Sequence, residues 1–403
     1  MSYAGAVWHA VQDDLYRNSE PTAKIRTSDS INSATSQENR ELLSHLDIFD
    51  DYFLSQCFYF SRRCLAFISD CIKARIQKDV FRSDSDATPV EAMTLAALYF
   101  YAHGFLPRKI TDALGLEHAS ASDAVNTVSK VLEDMSTDFI TFPATYDARM
   151  GVAQGFKYIS GIPNVVGVLG SLHVHVKPSP SEEHLFLNRR GYHSVMVQII
   201  SDVDGNLLSV EQCCPGGTGE QAVWESSSIF QEFNRLQHGQ SWVLGGKGLS
   251  KAKHVLSPLE SSRLKTNATR HFNNAHFQVW KSTQHVFGSL KTRFRCLQSL
   301  GSVVADNLKP VARIVNACCV LHNIAKKFSE PLPSKLVLEH FHPDPEMSQE
   351  KQENFADIDE AIEDMIEMCF EKSGPEEQLG IKNTEDTEKR HNQNDQNSHF
   401  SES

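Results

Sequence analysis

The fold turns on residues 164–198, NVVGVLGSLHVHVKPSPSEEHLFLNRRGYHSVMVQ. Val165 to Leu169 is an apolar run of strand length, rich in the β-branched residues that suit a buried strand. In the next segment His173 and His175 alternate with Val174 and Val176, the period of a second strand with one polar and one apolar face. Pro178 and Pro180 mark a loop, NRRGYHS follows, and Val195 to Ile200 resumes a strand pattern. An apolar strand feeding a hairpin system predicts an α/β core, with Gly170 at the end of the first strand.

Four downstream stretches extend the pattern. PGGTGEQAVW, at 215–224, leads into a predicted helix over 221–233. SWVLGGKGLS, at 241–250, holds a short apolar strand ending at Gly245 and Gly246. FNNAHFQVWKSTQHVFGSLKTRFRCL, at 272–297, and ARIVNACCVLHNIAKKF, at 312–328, read as helices. Together with NRRGYHS these motifs resemble the PIF/Harbinger transposases and the nucleases domesticated from them. The resemblance rests on His173, Asn188 to Ser194, Phe272, Asn273, His276, Phe287, Gly288, Leu290, Lys291, Arg293, Phe294 and the Leu-His-Asn at 321–323. It covers about Leu46 to Phe328.

What the resemblance implies is an RNase H-like mixed-sheet core, preceded by a helical, helix-turn-helix-like domain. It also implies metal-dependent DNA cleavage by three carboxylates, at positions held here by Gly170, Gly246 and Gln284. Strand cleavage of this kind uses two divalent ions, which magnesium-type sites hold through anionic oxygens. Two glycines and an amide offer none, so the expected catalytic set is empty. The expected metal set is empty too, with Glu220, Glu211 and Asp202 as the nearest substitutes, and no cofactor is expected unless those carboxylates recruit a metal such as magnesium. All three degenerate positions are expected to face one solvated groove. Arg189, Arg190, Lys291, Arg293 and Arg295 are expected to line that groove and contact nucleic acid. Family transposases look to a separate Myb/SANT-like protein for nuclear import and DNA binding, which implies such a partner, possible DNA, and a nuclear location with cytoplasm alongside. No dense Lys/Arg import signal stands in the sequence.

Composition sets bounds on these expectations. With 403 residues, 40% of them hydrophobic, the chain can bury a sizeable core. Its nine cysteines are odd in number and form no Cys-x-x-Cys pair, so they read as buried thiols rather than a disulfide framework or zinc site. No signal peptide or membrane-length apolar run is present, which predicts a soluble intracellular protein without a membrane contact; oligomeric state stays open. Residues 346–403 hold 17 acidic and 5 basic residues, a net of −12 that equals the whole-chain value. Residues 1–345 therefore carry 34 of each sign, and any nucleic-acid contact must come from local patches.

The predicted organisation is a flexible segment over 1–45 with a short helix at Val7 to Tyr16, a helical domain over 46–145, the RNase H-like domain over 146–345, and an acidic tail over 346–403. In the helical domain Thr88 is the expected N-cap of a helix over 90–101. Helices at 108–114 and from about 119 onward, with Gly115 between them, have a helix-turn-helix shape. The second helix exposes Ser120, Ser122, Asp123, Asn126 and Thr127 with one basic residue, Lys130, so structural packing is favoured over sequence reading. Asp202 and Asp204 precede Gly205 between two strands, a hairpin-turn signal stronger than a cation site. In the tail, 357–372 places Ile358, Ile362, Met365, Ile366 and Cys369 on one helical face, to pack on the protein's own body or on a partner. The function expected from all this is a domesticated, catalytically silent transposase-derived protein that binds DNA, protein or both. The alternatives are a nuclease with relocated carboxylates and a pure interaction scaffold.

Overall fold

A computed structural model describes residues 45–79, 89–117, 120–235, 241–304, 307–333 and 360–370. The expected helix at Val7 to Tyr16 and the cap at Thr88 lie outside them. Two compact units form: Met1–Pro258 with His276–Phe355, and Leu259–Ala275 with Ala356–Ser403.

The first unit opens with helices α1 (Asp51–Phe58), α2 (Arg62–Asp79), α3 (Val90–His103), α4 (Arg108–Ala113) and α5 (Ser120–Asp134). Asp50 caps α1 by accepting from the Phe53 amide, and Gly104 closes α3 in the left-handed region with φ 80°. Pro89 takes the N-cap position of α3 and makes no side-chain cap bond. Nine residues of α3 are buried, which is why it shows little amphipathic pattern: it is a central helix, covered all round. The buried Tyr101 hydroxyl and Ser129 Oγ, 2.7 Å apart, satisfy each other between α3 and α5.

After α6 (Ser136–Phe139) and α7 (Tyr146–Ser160), the chain enters a seven-stranded mixed sheet with order β3-β2-β1-β5-β6 and with β4 on β2 and β7 on β1. Its strands are β1 (Val165–Lys177), β2 (Ser194–Ser201), β3 (Leu207–Val210), β4 (Cys214–Pro215), β5 (Trp242–Leu244), β6 (Val255–Leu256) and β7 (Ser299–Val304). The two strands expected between Val165 and Val176 are one: β1 runs unbroken for 13 residues and pairs antiparallel with β2 from Val168↔Ser201 to His175↔Ser194. No turn residue interrupts it, and Gly170 therefore lies mid-strand. β5 and β7 join the other edge of β1 in parallel, β5 at Val165 to Val168 and β7 at His175 to Lys177. Helices cover both faces, so every residue of β2 is buried.

One face of the sheet, through Leu172, Val174, Val197 and Ile199, shares a single apolar core with Leu95, Tyr101 and Val128 of the helical segment. The other face, through Val166, Leu169 and Ile200, packs on Trp224, Ile229 and Phe233. Those last three come from α8 (Glu183–Phe186) onward, on α9 (Glu220–Ser226) and α10 (Ser228–Arg235). The sequence pattern predicts one helix there, but Ser227 is extended and its hydroxyl accepts from the Phe230 amide, so the chain stops and restarts. The long α11 (Asn267–Arg293) and α12 (Leu308–Lys327) complete the unit.

Two motif residues on α12 tie it to the β2–β3 hairpin. Asn323 accepts from the Leu207 amide at 2.9 Å and donates to Leu207 O at 2.8 Å, acting as a neighbour strand for the edge of β3. His322 Nε2 reaches Gly205 O at 2.9 Å, and burial pushes its imidazole down to about 4, so it is a neutral packing histidine. The hairpin itself is a turn: Asp202 accepts from the Asn206 amide and side-chain amide, and Gly205 has φ 83°. All nine cysteines are free thiols, and burial pushes Cys64, Cys213 and Cys319 up to about 12. Among the described residues no helix is long and apolar enough to cross a membrane.

In the second unit the tail helix, α13, runs over Glu360–Phe370 and buries Met365, Ile366 and Phe370. Phe370 meets the Phe272 ring edge-on at 6.2 Å, so the apolar stripe rests on the chain's own residues. Asn273 closes the start of this unit by bonding both the amide and carbonyl of Leu259. A helix of this length is marginal alone. Phe370→Ala is therefore expected to strip hydrogen-exchange protection from 360–370 while β1 and β2 keep theirs. Unchanged protection at 360–370 would mean the ring contact does not hold the helix.

Candidate functional site

Two of the three positions singled out by resemblance, Gly170 and Gly246, face α11, the helix that carries the third, Gln284. A side chain at Gly170 would put its Cβ 2.6 Å from Thr283 Cγ2 and 2.8 Å from Phe287 Cζ. A Cβ at Gly246, just past β5, would lie 3.6 Å from the Trp280 ring. Trp280, Thr283 and Phe287 are spaced three and four apart, which puts them on one face of α11, and Gln284 occupies the same turn. The expected solvated groove is not what the structure has at this point. Thr283 is 1% and Phe287 6% exposed, and their side chains fill the space beside the mid-strand glycine. Trp280 Nε1 and Thr283 Oγ1 are buried there with no hydrogen-bond partner among the described residues. Nearby His276, 2% exposed, sits on Leu256 O at 3.0 Å, and burial lowers it to about 4.

The substitute carboxylates do not gather. Asp202 is spent in the hairpin turn. Glu211 accepts from the Ser209 hydroxyl at 2.7 Å and the Ser228 amide at 3.3 Å, and so caps α10. Glu220 opens α9, where its Oε2 and Arg189 Nη1 both lie within 3.8 Å of the space over Gly248. Among the described residues no group of three or more His, Cys, Asp or Glu is placed to hold a metal ion.

The basic candidates also separate. Arg293 is 2% exposed: it donates to Tyr59 O, to Glu330 O at 2.9 Å and to Pro331 O at 2.8 Å, and lies over the Phe60 ring at 5.1 Å. This corrects the expectation that it lines a groove, because a guanidinium spent on three carbonyls in the interior has no donor face for phosphate. Arg295 stands beside Tyr59 and His103 at the helical segment, its charge opposing protonation of His103. Arg189 is over Gly248 with Glu220. Arg190 and Lys291 remain together, close enough that Arg190 adds to the desolvation that lowers the Lys291 ammonium to about 8.

NRRGYHS is a built loop rather than a loose one. Asn188 Oδ1 accepts from the Arg190 amide at 2.9 Å, and its Nδ2 donates to Ser194 Oγ at 2.8 Å. Ser194 Oγ is in turn 3.0 Å from His173 Nδ1. Gly216 packs against Ser194, where a Cβ would meet its hydroxyl at 2.1 Å, so the PGG turn and this loop interlock. Beyond this buried network, Tyr192 stacks on His175 at 4.0 Å with an interplanar angle of 18°, and His193 Nε2 is 3.3 Å from Glu183 Oε1. Sequence reading passed over His175 and His193 as site residues. The signal available was position: His175 lies two residues beyond His173 on the same strand face, opposite the last residues of the motif.

A mixed sheet with an antiparallel β1–β2 pair, parallel β5 and β6, and a long helix across the middle of β1 defines an RNase H-like domain of the DDE class. Residues 169–323 match the family described as DDE superfamily endonuclease. The human and cattle proteins named "Putative nuclease HARBI1" are each 31% identical over 279 residues, 69% of this chain and 78% of theirs. "Protein ALP1-like" of Arabidopsis thaliana is 24% identical over 286 residues, 66% of this chain and 69% of its own. No solved structure matches. The chain belongs to the Harbinger transposase-derived nuclease family.

Proposed function

We propose that this protein is a member of the family that does not cut DNA and that contacts nucleic acid through basic residues on one edge of the RNase H-like sheet. The observation that carries the reading is the packing beside Gly170. Magnesium needs anionic oxygens, and where the resemblance places the first of them the structure has Phe287 and Thr283 in contact distance of a bare strand. That donor set does not fit a divalent ion. What remains outside is charge: Arg189 and Arg190 are exposed, on a body whose residues 1–345 are neutral overall, and Lys291 lies partly buried beside Arg190. Loss of carboxylates from a site lowers its repulsion of phosphate. A nuclear location and a Myb/SANT-like partner for import belong to the same proposal, by similarity to the family's transposases.

Two measurements test it. Plasmid incubated with the full chain and magnesium or manganese is expected to stay supercoiled; metal-dependent nicking that Glu220→Ala abolishes would overturn the non-cutting reading and point to relocated carboxylates. Duplex DNA titrated at rising salt is expected to bind with an affinity that falls as salt rises. Absence of binding at low salt would leave the interaction-scaffold reading instead.

A further inference from the structure

We propose that the outer face of α11, carrying Phe277, Lys281 and His285, is a docking stripe for single-stranded nucleic acid, with Phe277 as the ring on which an unpaired base stacks. This rests on the reading that the chain contacts nucleic acid, and it adds a second surface and a form of nucleic acid that the sheet edge does not select. The three residues stand four apart, so they line up along one side of the helix with neighbouring Cβ atoms about 5–6 Å apart. All three are exposed, as is Gln278 beside them. The buried side of the helix, with Thr283 and Phe287 against β1, is the opposite one.

Phe277 gives the first reason to look for a partner. The chain has 23 phenylalanines, and among the described residues this is the one left exposed, at 40%. A phenyl ring has no polar tip to gain from water, unlike the exposed Tyr52, Tyr146 and Tyr158. One exposed apolar side chain is ordinary on any surface. The charge around it decides the reading. α11 runs for 27 residues without an aspartate or glutamate. Neither Lys281 nor His285 makes an ion pair among the described residues. An apolar protein partner would call for more than one apolar side chain, and a basic partner would call for acids. A row with one ring, one ammonium, one imidazole and no carboxylate instead suits a polyanion that also presents flat π-faces.

The form of that polyanion follows from the shape of the stripe. In a duplex the bases stack on one another and show only their edges in the grooves. A ring standing on a convex helix then has no base face to meet. An unpaired base offers its whole face, and stacking of that kind tolerates any sequence. Eight residues of helix span about 12 Å, which sets the phosphates next to that base beside Lys281 and His285.

The test is anisotropy titration of the full chain with a labelled oligothymidine, and with the duplex it forms with its complement, over a range of salt. Tighter binding of the single strand is expected. Phe277→Ala should weaken that binding about tenfold and leave duplex binding in place, whereas Phe277→Tyr should keep it. Lys281→Gln should reduce the slope of log affinity against log salt by about 0.7 for the single strand. Both positions are exposed, and an unchanged unfolding midpoint confirms that the variants fold. A duplex bound as tightly as the single strand, or a Phe277→Ala protein with wild-type affinity, overturns the stripe. If duplex binds, Arg190→Gln weakens it and Phe277→Ala changes nothing, the stripe falls and the sheet-edge reading stands. Single strand held through Phe277 by a chain that ignores duplex, and unaffected by Arg190→Gln, does the reverse. Binding of neither form overturns both, and loss of a copurifying protein in Phe277→Ala would then give the stripe to a protein partner.

Discussion

Gly170→Asp is expected to destabilise the protein by about 4 kcal/mol, whereas Gly246→Asp is expected to change stability by less than about 1 kcal/mol. At 170 the new Cβ would stand 2.6–2.9 Å from Thr283 and Phe287, so the helix or the strand has to move before the carboxyl group is even placed. Overpacking a filled core costs roughly 1–3 kcal/mol. Placing a carboxyl group against a phenyl ring and a threonine methyl adds roughly 1–3 kcal/mol for a polar group without partners. At 246 the nearest atoms are 3.6–3.8 Å away, ordinary contact, and one of them is Trp280 Nε1, a buried donor without an acceptor among the described residues. The same chemical change thus gives opposite outcomes at two positions of equal standing in the sequence. Denaturant unfolding of the two variants measures the difference. A Gly170→Asp protein as stable as wild type would mean that α11 does not sit on β1 as described, and the triple change Gly170→Asp, Gly246→Asp and Gln284→Glu would then be expected to bind divalent ions in an open groove.

That contrast also marks how much the sequence discloses. Alternating and apolar runs place β1, β2 and β5 and the long helices, because period and length reflect burial directly. Asp-Gly at 204–205 gives its turn for a local reason, the positive φ of Gly205. The motifs single out Gly170, Gly246 and Gln284, and in the structure the two glycines face the helix that carries Gln284. What a linear pattern does not carry is which neighbour occupies vacated space. Trp280, Thr283 and Phe287 read as an ordinary helix face, and nothing in their spacing says that they face a bare strand. Nor does it show that 165–177 is one strand, since a Val/His alternation looks the same whether or not the chain turns beforehand. Charged residues are the least legible. Lys291 and Arg293 stand two apart in a single motif, yet one caps a strand edge and the other is interior, because the last turn of α11 points them to different surroundings.

Arg293→Ala is expected to cost about 3–5 kcal/mol, since each buried carbonyl left without its donor costs roughly 1–3 kcal/mol and three are involved. Its guanidinium joins the Tyr59 carbonyl after α1 to the Glu330 and Pro331 carbonyls after α12, beside the bond from the Ser61 amide to the Glu330 carboxylate. Tyr59 holds a left-handed backbone with φ 59°, a conformation that a fixed carbonyl partner helps to retain. Truncation would leave three carbonyls short of a donor and take away the cation over the Phe60 ring. Lysine should not rescue it, since one ammonium on a flexible stem does not span three acceptors as a planar fork does. Arg190→Gln is the matched control: it removes an equal charge from an exposed site and should leave the unfolding midpoint in place. If instead Arg293→Ala unfolds like wild type while DNA binding drops, the residue belongs to a nucleic-acid surface, and the interior position given to it here is wrong.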